Sequence, residues 1–160
     1  AESLKCVEQQ RLRLLVNAGT PRTLRPSLLQ AASIGVLNVH PGLLPKYRGA
    51  TCCEWAIYNN DPLGVTAHFM NADIDRGPIL FTRALTVRRG QSYPEIRAAL
   101  YRLAMAATME AVWLVLERGF TQETVPPQPA GSPPYRPMPD ELLESVKMRL
   151  HNGEYAHVYG

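Results

Sequence analysis

An uninterrupted helical signal between Ser92 and Gly119 constrains the fold more than any other feature of the chain. Ser92 and Glu95 form an S-x-x-E capping box, and Gly119 stands at the C-terminal cap. Between them Ile96, Leu100, Leu103, Ala107, Ala111 and Leu114 recur at three- and four-residue steps. A helix with such an apolar stripe needs a second layer to bury it, and the preceding residues supply strands. Leu12–Val16 is an apolar run closed by Gly19 and Pro21, and Gly35–His40 is a second run halted by Pro41. Gly64–Met70 is rich in strand formers, and Pro78–Val87 contains a fourth strand. Short helices are predicted at Ser27–Ala32 and Thr51–Asn60, the latter stopped by Asp61-Pro62, while Ser3–Gln10 is polar and helix-like. This alternation predicts an α/β fold with an open, mostly parallel sheet. Sites in such sheets lie beyond the carboxyl ends of the strands, here Ala18–Leu24, Asn38–His40 and Asn71–Asp75.

Seven of the 14 prolines crowd between Pro126 and Pro139, which predicts an extended segment acting as a linker or a clasp. Asp140 then caps a short helix carrying Leu142, Leu143, Val146 and Leu150, which ends at Asn152-Gly153. The chain thus divides into a core at 1–125 and a Pro-rich linker with a C-terminal helix at 126–160. With 160 residues, 46% hydrophobic and 19% charged, it fits one soluble domain. The net charge of +3 includes a single adjacent basic pair, Arg88-Arg89, so a nucleic-acid partner is not expected. Cys6, Cys52 and Cys53 are odd in number and form no C-x-x-C. Neither a disulfide framework nor a metal site is expected, and a reducing, cytoplasmic setting follows. No run of 18 apolar residues and no apolar core at the start predict neither a membrane span nor an export signal. Phosphate-binding loops of the G-x-G-x-x-G or Walker type are missing.

Asn38 and His40 alternate with Val39 at a strand end, so both side chains emerge on one face, roughly 6.6 Å apart along the strand. The amide of Asn38 can hold a developing oxyanion, and an imidazole such as His40 exchanges a proton near neutrality. Asp75, from the next strand-end loop, can orient that imidazole. Together the three suit acyl transfer to an amine. Each also has a plain structural reading: His40 as a hydrogen-bonded strand end, Asp75 as a turn former, Asn38 as a partner for loop backbone, and His68 as a core histidine. Trp55 and Trp113 read as packing residues, Asp73 as solvated, and Cys52 and Cys53 as buried small hydrophobes.

The stretch Leu37-Asn38-Val39-His40-Pro41-Gly42-Leu43-Leu44-Pro45-Lys46-Tyr47-Arg48-Gly49-Ala50 is followed by Trp55-Ala56-Ile57 and then by Asp73-Ile74-Asp75-Arg76-Gly77-Pro78-Ile79-Leu80. It resembles the folate-dependent formyltransferases, a family that includes the methionyl-tRNA, glycinamide ribonucleotide, and sugar and amino-acid N-formyltransferases. The resemblance runs from about Leu12 to Leu116 and implies a partial formyltransferase, Rossmann-like fold. It implies transfer of a formyl group from N10 of 10-formyltetrahydrofolate to the amine of a small molecule. Asn38 and His40 would stabilise the tetrahedral oxyanion, and Asp75 would assist proton transfer. It further implies Arg22, Thr23, Leu24 and Asn71 as folate contacts and His68 as a substrate contact. Gly42 stands where many members carry Ser.

The same resemblance implies a preceding half of two βαβ-type units, about 60 residues in all, and nothing before Leu12 matches it. The expectations are therefore a fragment, a member that borrows the missing half from a partner, or a redirected enzyme. The Leu12–Val16 strand becomes an apolar edge, predicted to pair in a homo-oligomer, to be covered by a partner chain, or to be covered by residues 1–10 or the Pro-rich tail. Three alternatives stand beside formyl transfer: hydrolysis of 10-formyltetrahydrofolate, a folate-independent reaction on the same fold, and a non-catalytic binding or assembly module.

Overall fold

The computed structural model describes residues 2–20 and 23–159. In chain order the elements are α1 (Glu2–Gln9), β1 (Leu14–Asn17), α2 (Pro26–Ala31), β2 (Gly35–His40), α3 (Cys52–Tyr58), β3 (Gly64–Phe69), β4 (Ile79–Ala84), β5 (Val87–Arg88), α4 (Tyr93–Arg118), α5 (Asp140–His151) and β6 (Val158–Tyr159). The main sheet has the order β1-β2-β3-β4, and β5 leaves it to pair with β6 in parallel. The class is α/β, and the sheet is mixed: β1 and β2 run parallel, whereas β3 is antiparallel to both of its neighbours. Parallel neighbours need a crossover over the sheet face. Here α3 packs against α5 instead of crossing back, and residues 70–78 return the chain directly from β3 into β4.

Helix α4 begins with its capping box, Ser92 N–H donating to Glu95 Oε2 at 2.8 Å, and stops at Gly119, whose φ is +69°. Ile96, Leu100, Ala107, Ala111 and Val115 are buried, so the stripe ends on Val115 and not on Leu114. Ala111 and Val115 pack with Leu37 of β2 and with Ala67 and Phe69 of β3. The outer face carries Tyr101, Met105, Met109 and Leu116, and Trp113 is 54% exposed there, against the expectation that it packs. By length and composition this helix could cross a membrane. In the fold it lies on the sheet.

The Pro-rich arm is a clasp. Tyr135 N–H donates to Arg48 O at 2.7 Å, Ala50 N–H donates to Tyr135 O at 3.0 Å, and Trp55 Nε1–H donates to Arg136 O at 2.9 Å. The Tyr135 ring stacks on those of Tyr47 and Trp55, with centroids 5.5 and 5.2 Å apart. Met138, Val146 and Tyr155 share one core cluster with Cys52, Ile57 and Ile96, so the core runs without a break across residue 125. Helix α5 starts at Asp140, but Pro139 holds the cap position and no side-chain cap bond forms, so Asp140 opens the helix without capping it.

β1 is an outer strand, and Leu12 and Val16 are 40% and 41% exposed. Helix α1 packs against α2 and faces β1 across a cavity of about 450 Å³ lined by Ser3, Val7, Leu15 and Val16. Among the described residues α1 adds no strand to this edge, and the arm's hydrogen bonds run to Arg48–Trp55 and Asp75–Gly77. Among the described residues neither segment pairs with this edge as a strand, and α1 lies beside it, with Leu12 N–H donating to Val7 O at 3.0 Å.

Candidate active site

Strand pairing assembles the polar groups. Asn17 is in register with Asn38 across the parallel pair, and Asn38 is in register with His68 across the antiparallel one. Three polar side chains therefore stand in a row at the ends of three strands. Thr20 N–H donates to Asn17 Oδ1 at 3.1 Å, Asn17 Nδ2–H to Asn38 Oδ1 at 2.9 Å, and Asn38 Nδ2–H to His68 Nε2 at 3.1 Å. His68 Nδ1–H in turn donates to Phe69 O at 2.9 Å, which fixes the tautomer that leaves Nε2 as the acceptor. Burial holds the His68 imidazole down at about 4 despite the nearby Asp75 charge, so the ring is neutral at pH 7. Asn38 retains a second amide hydrogen without a protein acceptor among the described residues.

His40 and Asp75 come from separate stretches and meet. His40 is 5% exposed, and its Nε2–H donates to Tyr47 O at 2.7 Å. Nδ1 then faces Asp75 Oδ2 at 3.4 Å, and the other carboxylate oxygen lies 3.7 Å from His68 Nε2. Burial lowers the His40 pKa below its usual value, with Asp75 and the Tyr47 carbonyl pulling the other way. With its hydrogen on Nε2, a neutral His40 sets a lone pair against a carboxylate. A proton placed between Nδ1 and Oδ2 relieves that repulsion, so this junction is where the site can hold a mobile proton.

Neighbouring residues shape the loop that carries Asp75. Gly49 N–H donates to Asp75 Oδ2 at 2.8 Å. A Cβ on Gly77 would lie 1.8 Å from Phe69 O, so only glycine allows the loop to pass β3 this closely. Asp75 itself has φ +49°, a left-handed conformation that costs a non-glycine residue about 1 kcal/mol or more.

Asn17, Thr20, Thr23, Leu24, Asn38, His68, Asn71 and Asp75 line one cavity of about 890 Å³, closed on one side by Pro133–Pro137 of the arm. Its size falls within the range of small-molecule sites. Of the candidate folate contacts, Thr23, Leu24 and Asn71 line this wall, while Arg22 lies outside the described residues. Asp73 is exposed, and no group able to hold a metal occurs among the described residues. Cys52 and Cys53 are buried and burial pushes their thiols up, Cys53 to about 12, which leaves neither as a nucleophile.

Three further participants, Asn17, Arg48 and Gln128, carry no distinctive signal in the sequence. Asn17 ends the first strand beside a turn that the strand-end rule already pointed to. Arg48 lies inside the Leu37–Ala50 stretch, where nothing in the local pattern gives it a role. Gln128 is the one long polar side chain between Pro126 and Pro134.

Fold and site together define a Rossmann-like α/β domain that presents an amide, an imidazole and a carboxylate, Asn38, His68 and Asp75, to one cleft, with the buried His40 behind Asp75. Residues 1–112 match the formyl transferase family, and the chain belongs to that family. It is 30% identical over 146 residues to the methionyl-tRNA formyltransferase of Acetivibrio thermocellus, a match covering 91% of this chain and 46% of that protein. The chain spans about a third to a half of the length of the curated relatives it matches. The formyltransferase PseJ from Anoxybacillus kamchatkensis, solved with UDP-4,6-dideoxy-4-formamido-L-AltNAc and tetrahydrofolate, superposes with a TM-score of 0.69 at 23% identity, covering 91% of this chain and 74% of its own. Glycinamide ribonucleotide transformylase 1 from Symbiobacterium toebii superposes with a TM-score of 0.65 at 28% identity, covering 72% and 55%.

Proposed function

We propose that the chain carries the formyl-donor side of a formyltransferase that moves the formyl group of 10-formyltetrahydrofolate onto the nitrogen of an amine. The observation that carries this reading is that Asn38 and Asp75 line a single ligand-sized cleft, with His40 Nδ1 buried 3.4 Å behind Asp75 Oδ2. As the amine nitrogen bonds to the formyl carbon, the free Nδ2–H of Asn38 receives the developing oxyanion. Asp75, backed by His40, takes the proton shed by the attacking nitrogen and returns one to N10 as its bond to the formyl carbon breaks. The products are a formamide and tetrahydrofolate. His68 holds the Asn38 amide in position, and Thr23, Leu24 and Asn71 offer the wall for the pterin. The oxyanion contact falls to Asn38 alone, because both nitrogens of His40 are turned to Tyr47 O and to Asp75.

The substrates named for the similar proteins differ: methionyl-tRNA and glycinamide ribonucleotide appear in two of the names, and the third structure holds a nucleotide-linked sugar whose formamido group is the formylated form of an amine. A small-molecule amine is our proposal, in a reducing, cytoplasmic setting suited to three free thiols. The test follows tetrahydrofolate and formate release from 10-formyltetrahydrofolate, with each acceptor in turn, for the wild type, Asp75→Asn and Asn38→Ala. Acceptor-dependent turnover that falls about 10²–10³-fold in both variants is expected. Wild-type turnover in Asp75→Asn would overturn the assignment, and formate without acceptor would replace transfer by hydrolysis.

A further inference from the structure

The Asp75 loop is held from outside by two side chains distant in sequence. Arg48, 6% exposed, donates Nε–H and Nη2–H to Ile74 O at 2.9 and 2.6 Å, and its Nη1–H reaches Ser132 O of the Pro-rich arm at 3.1 Å. Gln128, on the same arm, donates both hydrogens of Nε2, to Asp75 O at 3.1 Å and to Gly77 O at 2.8 Å. Its own Oε1 is buried without a partner. A buried amide that leaves its acceptor unsatisfied while spending both donors on one loop does more for that loop than for itself. Prolines 127 and 129 flank Gln128 and fix the backbone that presents it.

We infer that the Pro-rich arm is a working part of the active site, with Gln128 as a positioning residue, braced by Arg48, that keeps the left-handed Asp75 facing His40 Nδ1. The inference rests on the catalytic reading of Asp75 given above. Without the two Nε2–H donors the carbonyls of Asp75 and Gly77 are released, the backbone leaves its left-handed conformation, and the carboxylate moves off the imidazole. The ionisable groups facing His40 are Asp75 and, with ring centroids 6.5 Å apart, His68. Asp75 is the one that favours the imidazolium, so its departure lowers the pH at which His40 titrates.

Gln128→Leu keeps the bulk of the side chain and removes both donors. Thr51→Ala is the control, since Thr51 Oγ1 accepts from Met138 N–H at 2.8 Å and anchors the arm away from the loop. The readouts are the titration of the His40 ring nitrogens by NMR and the separate kcat and KM of formyl transfer. Gln128→Leu should move the His40 midpoint down by about one pH unit and lower kcat roughly 10-fold with donor KM within about twofold. Thr51→Ala should leave both in place. An unchanged His40 midpoint in Gln128→Leu, or an equal change in Thr51→Ala, overturns the inference whatever happens to the rate. If Gln128→Leu fails to fold, Arg48→Lys, which loses part of the hold on Ile74 O, is read the same way. Wild-type kcat in Asp75→Asn would refute the catalytic reading alone, because the His40 titration still decides whether Gln128 positions the carboxylate.

Discussion

Mild acid should weaken the folded state through His68. In an unfolded chain an imidazole binds its proton near pH 6.5, whereas the buried His68 ring does so only near 4. Between those values the unfolded state carries the proton and the folded state does not, so acid draws the equilibrium toward unfolding. Stability is complete above about pH 6.5 and is lost as the pH falls toward 4. At about 1.4 kcal/mol for each pH unit, the loss amounts to about 2 kcal/mol between pH 6.5 and pH 5. Buried His40 is shifted in the same direction and adds to the loss. Asp61 and Glu95 are lowered from ordinary values of 3.8 and 4.5, so their contributions fade only in stronger acid and leave this window to the imidazoles. Urea denaturation followed by tryptophan fluorescence at pH 7, 6 and 5 measures the slope. His68→Asn should flatten it markedly, whatever its effect on stability at pH 7. A variant that loses as much stability as the wild type on acidification would refute the reasoning, as would a wild type that loses none.

Asn17→Ala removes the donor that fixes Asn38 Oδ1, and one neutral hydrogen bond of about 1 kcal/mol corresponds to a roughly fivefold fall in kcat with folate binding retained. An unchanged kcat in steady-state assays would mean that Asn38 needs no brace. Gly42→Ser would place a Cβ 2.8 Å from His40 Nε2, 2.7 Å from Tyr47 O and 2.9 Å from Cys52 Cβ. This wedge in the His40–Tyr47 bond should cost about 1–3 kcal/mol, and a melting curve identical to that of the wild type would contradict it. Thiol titration of the native protein should label exposed Cys6 quickly and buried Cys52 and Cys53 only on unfolding. Three fast thiols would show that the core around α3 is open.

Local patterns made most of the elements legible. The capping box and the three- and four-residue steps define α4, because each signal acts within a turn or two of backbone. Trp113 and Val115 show the limit: once the helix lies on β2 and β3, their orientation depends on the direction from which the sheet approaches. The mixed sheet escaped for a similar reason, since strand direction depends on whether α3 crosses the sheet or packs on α5. In the site, Asn38, His40 and Asp75 were visible because a strand end and a polar loop advertise themselves. Asn17, Arg48 and Gln128 were not, because each is an unremarkable polar residue until pairing or the arm sets it beside a partner 21, 26 or 53 residues away.

From the sequence came the chemical inventory and the strand ends that could display it, because backbone preference and side-chain periodicity are decided among near neighbours. Only the tertiary structure decided what each ring nitrogen of His40 and His68 faces, that His40 stands behind Asp75, and that the proline-rich segment grips the aspartate loop. Those outcomes depend on burial and on hydrogen-bond geometry between distant segments, which exist only once the chain has closed on itself.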